Sequence, residues 1–199
     1  MSQESYDYSN RDSIWPISWN DFHGLCQAIA LAAATFNPEI IIAIGRGGFY
    51  PGTLIAHLLR TEIYPVRFTR RLNDEVVRQD PQWLLEPPAL VQGKRILIVD
   101  EIASSGKTLR GAKQKVEELG ATVVQTAVLY AHSWGTELPD YIGLISDALL
   151  LNPWDREVVV NGRLQFHPEY AEAFTHQGQE PDESLRIPAT PINLAKSPI

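Results

Sequence analysis

Two carboxylates in a row, Asp100 and Glu101, end an apolar run, and a Gly-Lys-Thr triplet follows at residues 106–108. The whole stretch reads "RILIVDEIASSGKTLRGA" over residues 95–112. A nucleotide-binding phosphate loop has a glycine, four residues, then Gly-Lys-Ser/Thr. Counted back from Gly106, the position of that first glycine holds Glu101, which would repel the polyphosphate such a loop wraps. The stretch instead divides two tasks. Asp100 and Glu101 can accept hydrogen bonds from a vicinal diol or organise a divalent cation. Ala103, Ser104, Ser105, Gly106, Lys107 and Thr108 bring backbone N–H groups and hydroxyls to the start of a helix, an end that favours a phosphate dianion. A ribose 5-phosphate satisfies both halves.

A second candidate site is "GRGG", residues 45–48. Gly47 and Gly48 let the backbone approach a ligand closely, and Arg46 supplies charge for an anion. Alone, this reads better as a plain glycine turn. Elsewhere the chemistry is thin: the histidines show no metalloprotease spacing and no serine sits in a Gly-x-Ser-x-Gly elbow. The single cysteine, Cys26, lies in an apolar stretch and reads as an inert buried thiol.

Strands and helices must hold these residues. "SWND" offers a helix start capped by Ser18, and Phe22, Leu25, Ile29 and Ala33 recur at helical spacing to about residue 36. "PEIIIAI" reads as a strand buried on both faces, and "TLIAHLLR" as a short helix with Pro51 near its first turn. "EIYPVRF" is a second strand, with Pro65 marking an edge or a strand end. Residues 69–93, charged and proline-bearing, read as a long surface loop. "RILIVD" is a strand, Leu109, Ala112, Val116 and Leu119 line a helix that Gly120 stops, and "TVVQTAVLYA" is a strand again. Such alternation predicts a parallel sheet with right-handed crossovers. Residues 1–17 read as an arm with aromatic anchors at Tyr6, Tyr8 and Trp15, and the polar C-terminal stretch as an extended tail.

Composition fits one soluble globular domain of 199 residues, 44% hydrophobic and 21% charged. A net charge of −7 with no basic run argues against nucleic acid and anionic membranes as partners. No signal core and no bilayer-length apolar run appear, so the expected location is cytoplasmic.

"ILIVDEIASSGKT" closely resembles the phosphoribosyl pyrophosphate motif of type I phosphoribosyltransferases, and "IIIAIGRGGFYPG" resembles their pyrophosphate loop. "AVLYAHSWGTELPDYIGLISDALLLNPWD" is similar to the base-recognition end of the hypoxanthine and xanthine-guanine enzymes, through Pro139-Asp140-Tyr141 and Pro153-Trp154-Asp155. The resemblance implies an α/β fold with a twisted, mostly parallel sheet flanked by helices and a small hood. It implies one domain over residues 1–199: a core of about 18–131, a hood of about 132–165 helped by the N-terminal arm, and a tail at 177–199. It implies transfer of a phosphoribosyl group from phosphoribosyl pyrophosphate to a small heterocyclic, purine-like base, with Mg2+ as cofactor. Asp100, Glu101 and Arg46 would be catalytic. Gly45, Arg46, Gly47 and residues 103–108 would bind the donor, and His132, Leu149 and Leu150 would meet the base. Asp100, Glu101 and Asp155 would serve the metal, residues 69–93 would close over the substrates with Arg70, Arg71 and Arg78 as pyrophosphate contacts, and Gly45–Arg46 would be a cis peptide. A homodimer is expected.

Three positions depart from the pattern. Ser104 stands where purine enzymes carry an aspartate that assists proton transfer, and a serine is no general base unaided. His132 stands where they carry a lysine that donates to the purine 6-oxo group. "ALLLN" replaces an aromatic stacking position, leaving Leu149 and Leu150 as base contacts or as core. These departures keep a second reading open: a regulatory module that binds donor or nucleotide without transfer.

Overall fold

In the computed structural model, residues 11, 13–72 and 75–179 are described. Contacts divide the chain into a larger unit, residues 19–147, and a smaller one made of residues up to 18 and from 148 onward. The first strand, β1 (Ile14–Pro16), belongs to the smaller unit.

The larger unit runs α1 (Trp19–Ala33), β2 (Ile40–Ile44), α2 (Phe49–Leu59), β3 (Glu62–Thr69), β4 (Arg71–Leu72), β5 (Glu75–Val76), β6 (Gln82–Leu85), β7 (Arg95–Ala103), α3 (Lys107–Glu118), β8 (Val123–Ala131) and β9 (Tyr141–Ile145). Its six-stranded sheet has the order β6-β3-β2-β7-β8-β9, and every pair is parallel except β6 with β3. Helices cover the faces of such a sheet, which is why all of β2 and Ile96, Leu97, Ile98 and Val99 of β7 are buried. One core cluster joins Ile42, Ile44, Val66, Ile98, Leu109 and Val116. The expected α/β sheet is present. On α1, Phe22, Cys26, Ile29 and Ala33 face inward, and burial pushes the Cys26 thiol up to about 12, as an inert thiol requires.

Two elements differ from the sequence reading. The helix expected from "TLIAHLLR" starts earlier, at Phe49, because the glycine loop itself winds into its first turn: Gly52 N–H donates to Gly48 C=O at 2.9 Å. Residues 69–93 are not a bare loop. They hold the β4–β5 hairpin, a short 3-10 turn at Ala89–Val91, and β6, whose Trp83 stacks on Phe68 at 4.4 Å. Pro65 pairs with Ala43 of β2, and β6 lies beside only Arg67, Phe68 and Thr69, so among the described residues β3 is an edge at Pro65, as its proline suggests.

In the smaller unit, β10 (Leu149–Leu151) pairs in parallel with β1. A hairpin of β11 (Glu157–Val160) and β12 (Arg163–Phe166) leads into α4 (Pro168–His176). Asn161 and Gly162 both have positive φ, 51° and 75°, the pair of conformations that a tight I′ hairpin demands. Leu149, Leu151, Phe166, Tyr170, Ala173 and Phe174 form this unit's core, with Ile14 packed against it. Tyr6, Tyr8 and the tail beyond residue 179 lie outside the described residues. Among the described residues, no helix is long and apolar enough to cross a membrane.

Candidate functional site

The register of the sheet decides where the acid pair emerges. β2 and β7 pair from Ile40↔Ile96 to Ala43↔Val99, and Asp100 is the next residue, beside the point where β2 turns into the glycine loop. Open parallel sheets bind ligands at this end of their strands. Glu101 N–H donates to Asp100 Oδ1 at 2.8 Å. Although Asp100 as a whole keeps some exposed surface, burial of its carboxyl outweighs that hydrogen bond and pushes it up to about 7. A diol hydroxyl or a cation would favour its charged form.

Gly106 then takes φ 70° and opens α3 without any side-chain cap. The first-turn N–H groups of α3 are thereby left for another acceptor, and a phosphate is the chemically matched one. Ser104 and Thr108 are half-buried, Ser105 and Lys107 exposed. Lys107 Nζ lies 3.5 Å from Asp80 Oδ1, an exposed pair of small energetic weight.

The glycine loop presses on the acids. A β-carbon on Gly47 would lie 1.6 Å from Glu101 Oε2, and one on Gly48 would lie 2.5 Å from the Ile44 carbonyl and 2.8 Å from that of Val99. The Gly45–Arg46 peptide is cis, as the family resemblance implied. Arg46 is exposed beside this contact.

A third segment follows β8. His132 N–H donates to Ala103 C=O at 3.0 Å, and the His132 side chain, 2% exposed as a residue, has Nδ1 3.0 Å from the Ser146 carbonyl. A carbonyl only accepts, so Nδ1 carries the proton. Asp147 Oδ1 accepts from Ser133 N–H at 2.8 Å. Trp134 stacks on the imidazole at 4.7 Å and its Nε1–H donates to Ser104 Oγ at 3.4 Å. A β-carbon on Gly135 would meet the Ala103 carbonyl at 2.4 Å. Trp134, Gly135 and Asp147 carry no sequence signal: no apolar period or motif marks "HSWG" or "ISDA". Asp140 of the "PDY" motif proves to be a strand clamp: its Oδ2 accepts from Thr126 N–H at 2.7 Å and Thr126 Oγ1–H at 2.9 Å.

In the smaller unit, Leu149 is packed into the core cluster at 4% exposure. Leu150 is on the opposite face of β10, by strand alternation. Asp155 closes a turn, its N–H donating to Asn152 C=O at 3.2 Å, and its Oδ2 accepts from the Tyr170 hydroxyl at 3.1 Å. Of the loop arginines, Arg78 Nη1 donates to Arg71 C=O at 3.4 Å, and Val77 N–H and Arg78 N–H donate to Arg70 C=O. Among the described residues, no three His, Cys, Asp or Glu gather into a metal cage. Mg2+ is commonly held by one or two carboxylates with substrate phosphates and water, and the hard oxygens of Asp100 and Glu101 fit that habit.

The profile of the phosphoribosyl transferase domain family matches residues 15–162. The chain belongs to this family. A hypoxanthine-guanine phosphoribosyltransferase of Schizosaccharomyces pombe is 34% identical over 120 residues, 50% of this chain and 58% of that protein. A xanthine phosphoribosyltransferase of Saccharomyces cerevisiae is 31% identical over 189 aligned positions, 71% of this chain and 89% of that protein. The crystal structure of a purine phosphoribosyltransferase from Pyrococcus horikoshii superposes with a TM-score of 0.65 at 24% identity, covering 76% of this chain and 99% of that one. The last likeness carries the fold: this is a type I phosphoribosyltransferase sheet.

Proposed function

We propose that this protein transfers a phosphoribosyl group from phosphoribosyl pyrophosphate to a purine base and releases pyrophosphate. The bond from sugar C1 to the pyrophosphate oxygen breaks, a bond from C1 to a ring nitrogen forms, and the nitrogen loses its proton. Asp100 and Glu101 hold the ribose hydroxyls, residues 104–108 grip the 5-phosphate, and Arg46 and Gly47 meet the departing pyrophosphate. Positive charge spreads onto the sugar ring in the transition state, and the adjacent acids favour it electrostatically. Magnesium would neutralise charge on the leaving group; Asp100 and Glu101 would be its donors in the larger unit, and Asp155 a donor in the smaller one.

One observation carries the reading. Glu101 Oε2 fills the space in front of Gly47, so the donor's hydroxyl acids and its pyrophosphate loop act as one surface. Family membership and the purine enzymes among the relatives support the base class. A homodimer in the cytoplasm belongs to the same reading. The test is pyrophosphate release over hypoxanthine, guanine, xanthine and adenine. Turnover with at least one is expected; none with any, despite tight donor binding, overturns the enzyme.

Ser104 favours a second reading. Its hydroxyl accepts from Trp134 Nε1–H and offers no basicity, which suits a module that binds donor without transfer. An inert wild type that gains activity through Ser104→Asp would decide for that module.

A further inference from the structure

The family match stops at residue 162, but the chain continues into β12 and α4, and this addition is built onto Asp155. Two bonds make the tether. His167 N–H donates to the Arg156 carbonyl at 2.8 Å, fixing the start of α4 to the residue after Asp155. The Tyr170 hydroxyl, on a residue only 4% exposed, donates to Asp155 Oδ2 at 3.1 Å. Packing alone does not explain the hydroxyl. The Tyr170 ring lies among Leu149, Leu151, Phe166, Ala173 and Phe174, and tilts against His167 at 5.1 Å, so a phenylalanine would fill the same space.

We propose that Tyr170 is a positioning residue for Asp155, holding one carboxylate oxygen so that the other is presented to a divalent cation. This rests on the reading of Asp155 as a metal donor. A phenol that donates to a carboxylate makes a charge-assisted bond and leaves Oδ1 as the acceptor with freedom to face a ligand. Such supporting bonds orient ligating groups, and their loss commonly weakens metal binding about 10-fold or more.

The test uses the full chain, with Mn2+ as the paramagnetic probe titrated in the presence of pyrophosphate. Tyr170→Phe keeps the ring and removes the hydroxyl. We expect it to weaken Mn2+ binding about tenfold and to raise the Mg2+ concentration for half-maximal transfer similarly, with kcat at saturating Mg2+ within about twofold. Asp155→Asn should weaken Mn2+ at least as much, and the double variant no further. Phe174→Ala, a packing control, should lower the melting temperature without moving Mn2+ affinity. Wild-type Mn2+ binding by Tyr170→Phe beside a weakened Asp155→Asn overturns the proposal, as does additivity in the double variant. Intact Mn2+ binding by Asp155→Asn overturns it together with the metal role of Asp155. A wild type that binds Mn2+ but releases no pyrophosphate defeats the transfer reading alone, and the Mn2+ comparison still judges Tyr170.

Discussion

A carboxyl held near 7 by burial makes Asp100 a residue whose charge is costly until a ligand arrives. An unfolded aspartate titrates near 3.9, so between about pH 4 and 7 the folded chain binds more protons than the unfolded one. The sign follows: the stability due to this group is fully present below about pH 4 and is lost as pH rises through about 7. The slope is at most about 1.4 kcal/mol per pH unit. Urea midpoints of the ligand-free protein at several pH values should fall across that window, and Asp100→Asn should flatten the fall. An unchanged slope in the variant would assign the effect elsewhere. Gly47 makes a different kind of prediction. An alanine there puts its β-carbon on the Glu101 carboxylate, so Gly47→Ala should lower kcat/KM about 100-fold while circular dichroism stays native. Both residues were legible in the sequence, because adjacent acids and paired glycines are local patterns. Trp134 and Tyr170 were not: their partners Ser104 and Asp155 lie 30 and 15 residues away, where no spacing rule reaches.

Whole elements were read best where one period governs them. β7 and α3 fell where apolar runs and helical spacing put them, and the β2 isoleucines announced a doubly covered strand. The misses have physical causes. β6 is a four-residue edge strand whose identity depends on Trp83 stacking on Phe68, a contact invisible until the chain folds back. The β11–β12 hairpin carried its own signal in Asn161-Gly162, and α4 carried one in Pro168 before helically spaced Tyr170, Ala173 and Phe174. The aspartate of the "PDY" motif joins β8 to the start of β9. Asp140→Ala would leave the fully buried Thr126 without that acceptor, so we expect about 2 kcal/mol of destabilisation in urea unfolding. An equally stable variant would show that the clamp contributes nothing.

At the scale of the molecule, the family's own boundary falls short of what the chain folds. The core of the smaller unit draws Phe166, Tyr170, Ala173 and Phe174 from beyond residue 162, so β10 with Leu149 depends on residues the family profile does not include. Phe174→Ala should cost about 3 kcal/mol and speed amide exchange in β10, measured by mass spectrometry; exchange unchanged in β10 would detach α4 from that strand. The bare start of α3 has a reach of its own. A helix whose opening turn has no partner from Gly106 is finished by whatever anion docks there, and the docked anion becomes in effect part of the secondary structure. Saturation with a nucleoside monophosphate at 100 times its Kd would then deepen the native well by about 2.7 kcal/mol, with the slowed hydrogen exchange concentrated at residues 106–109.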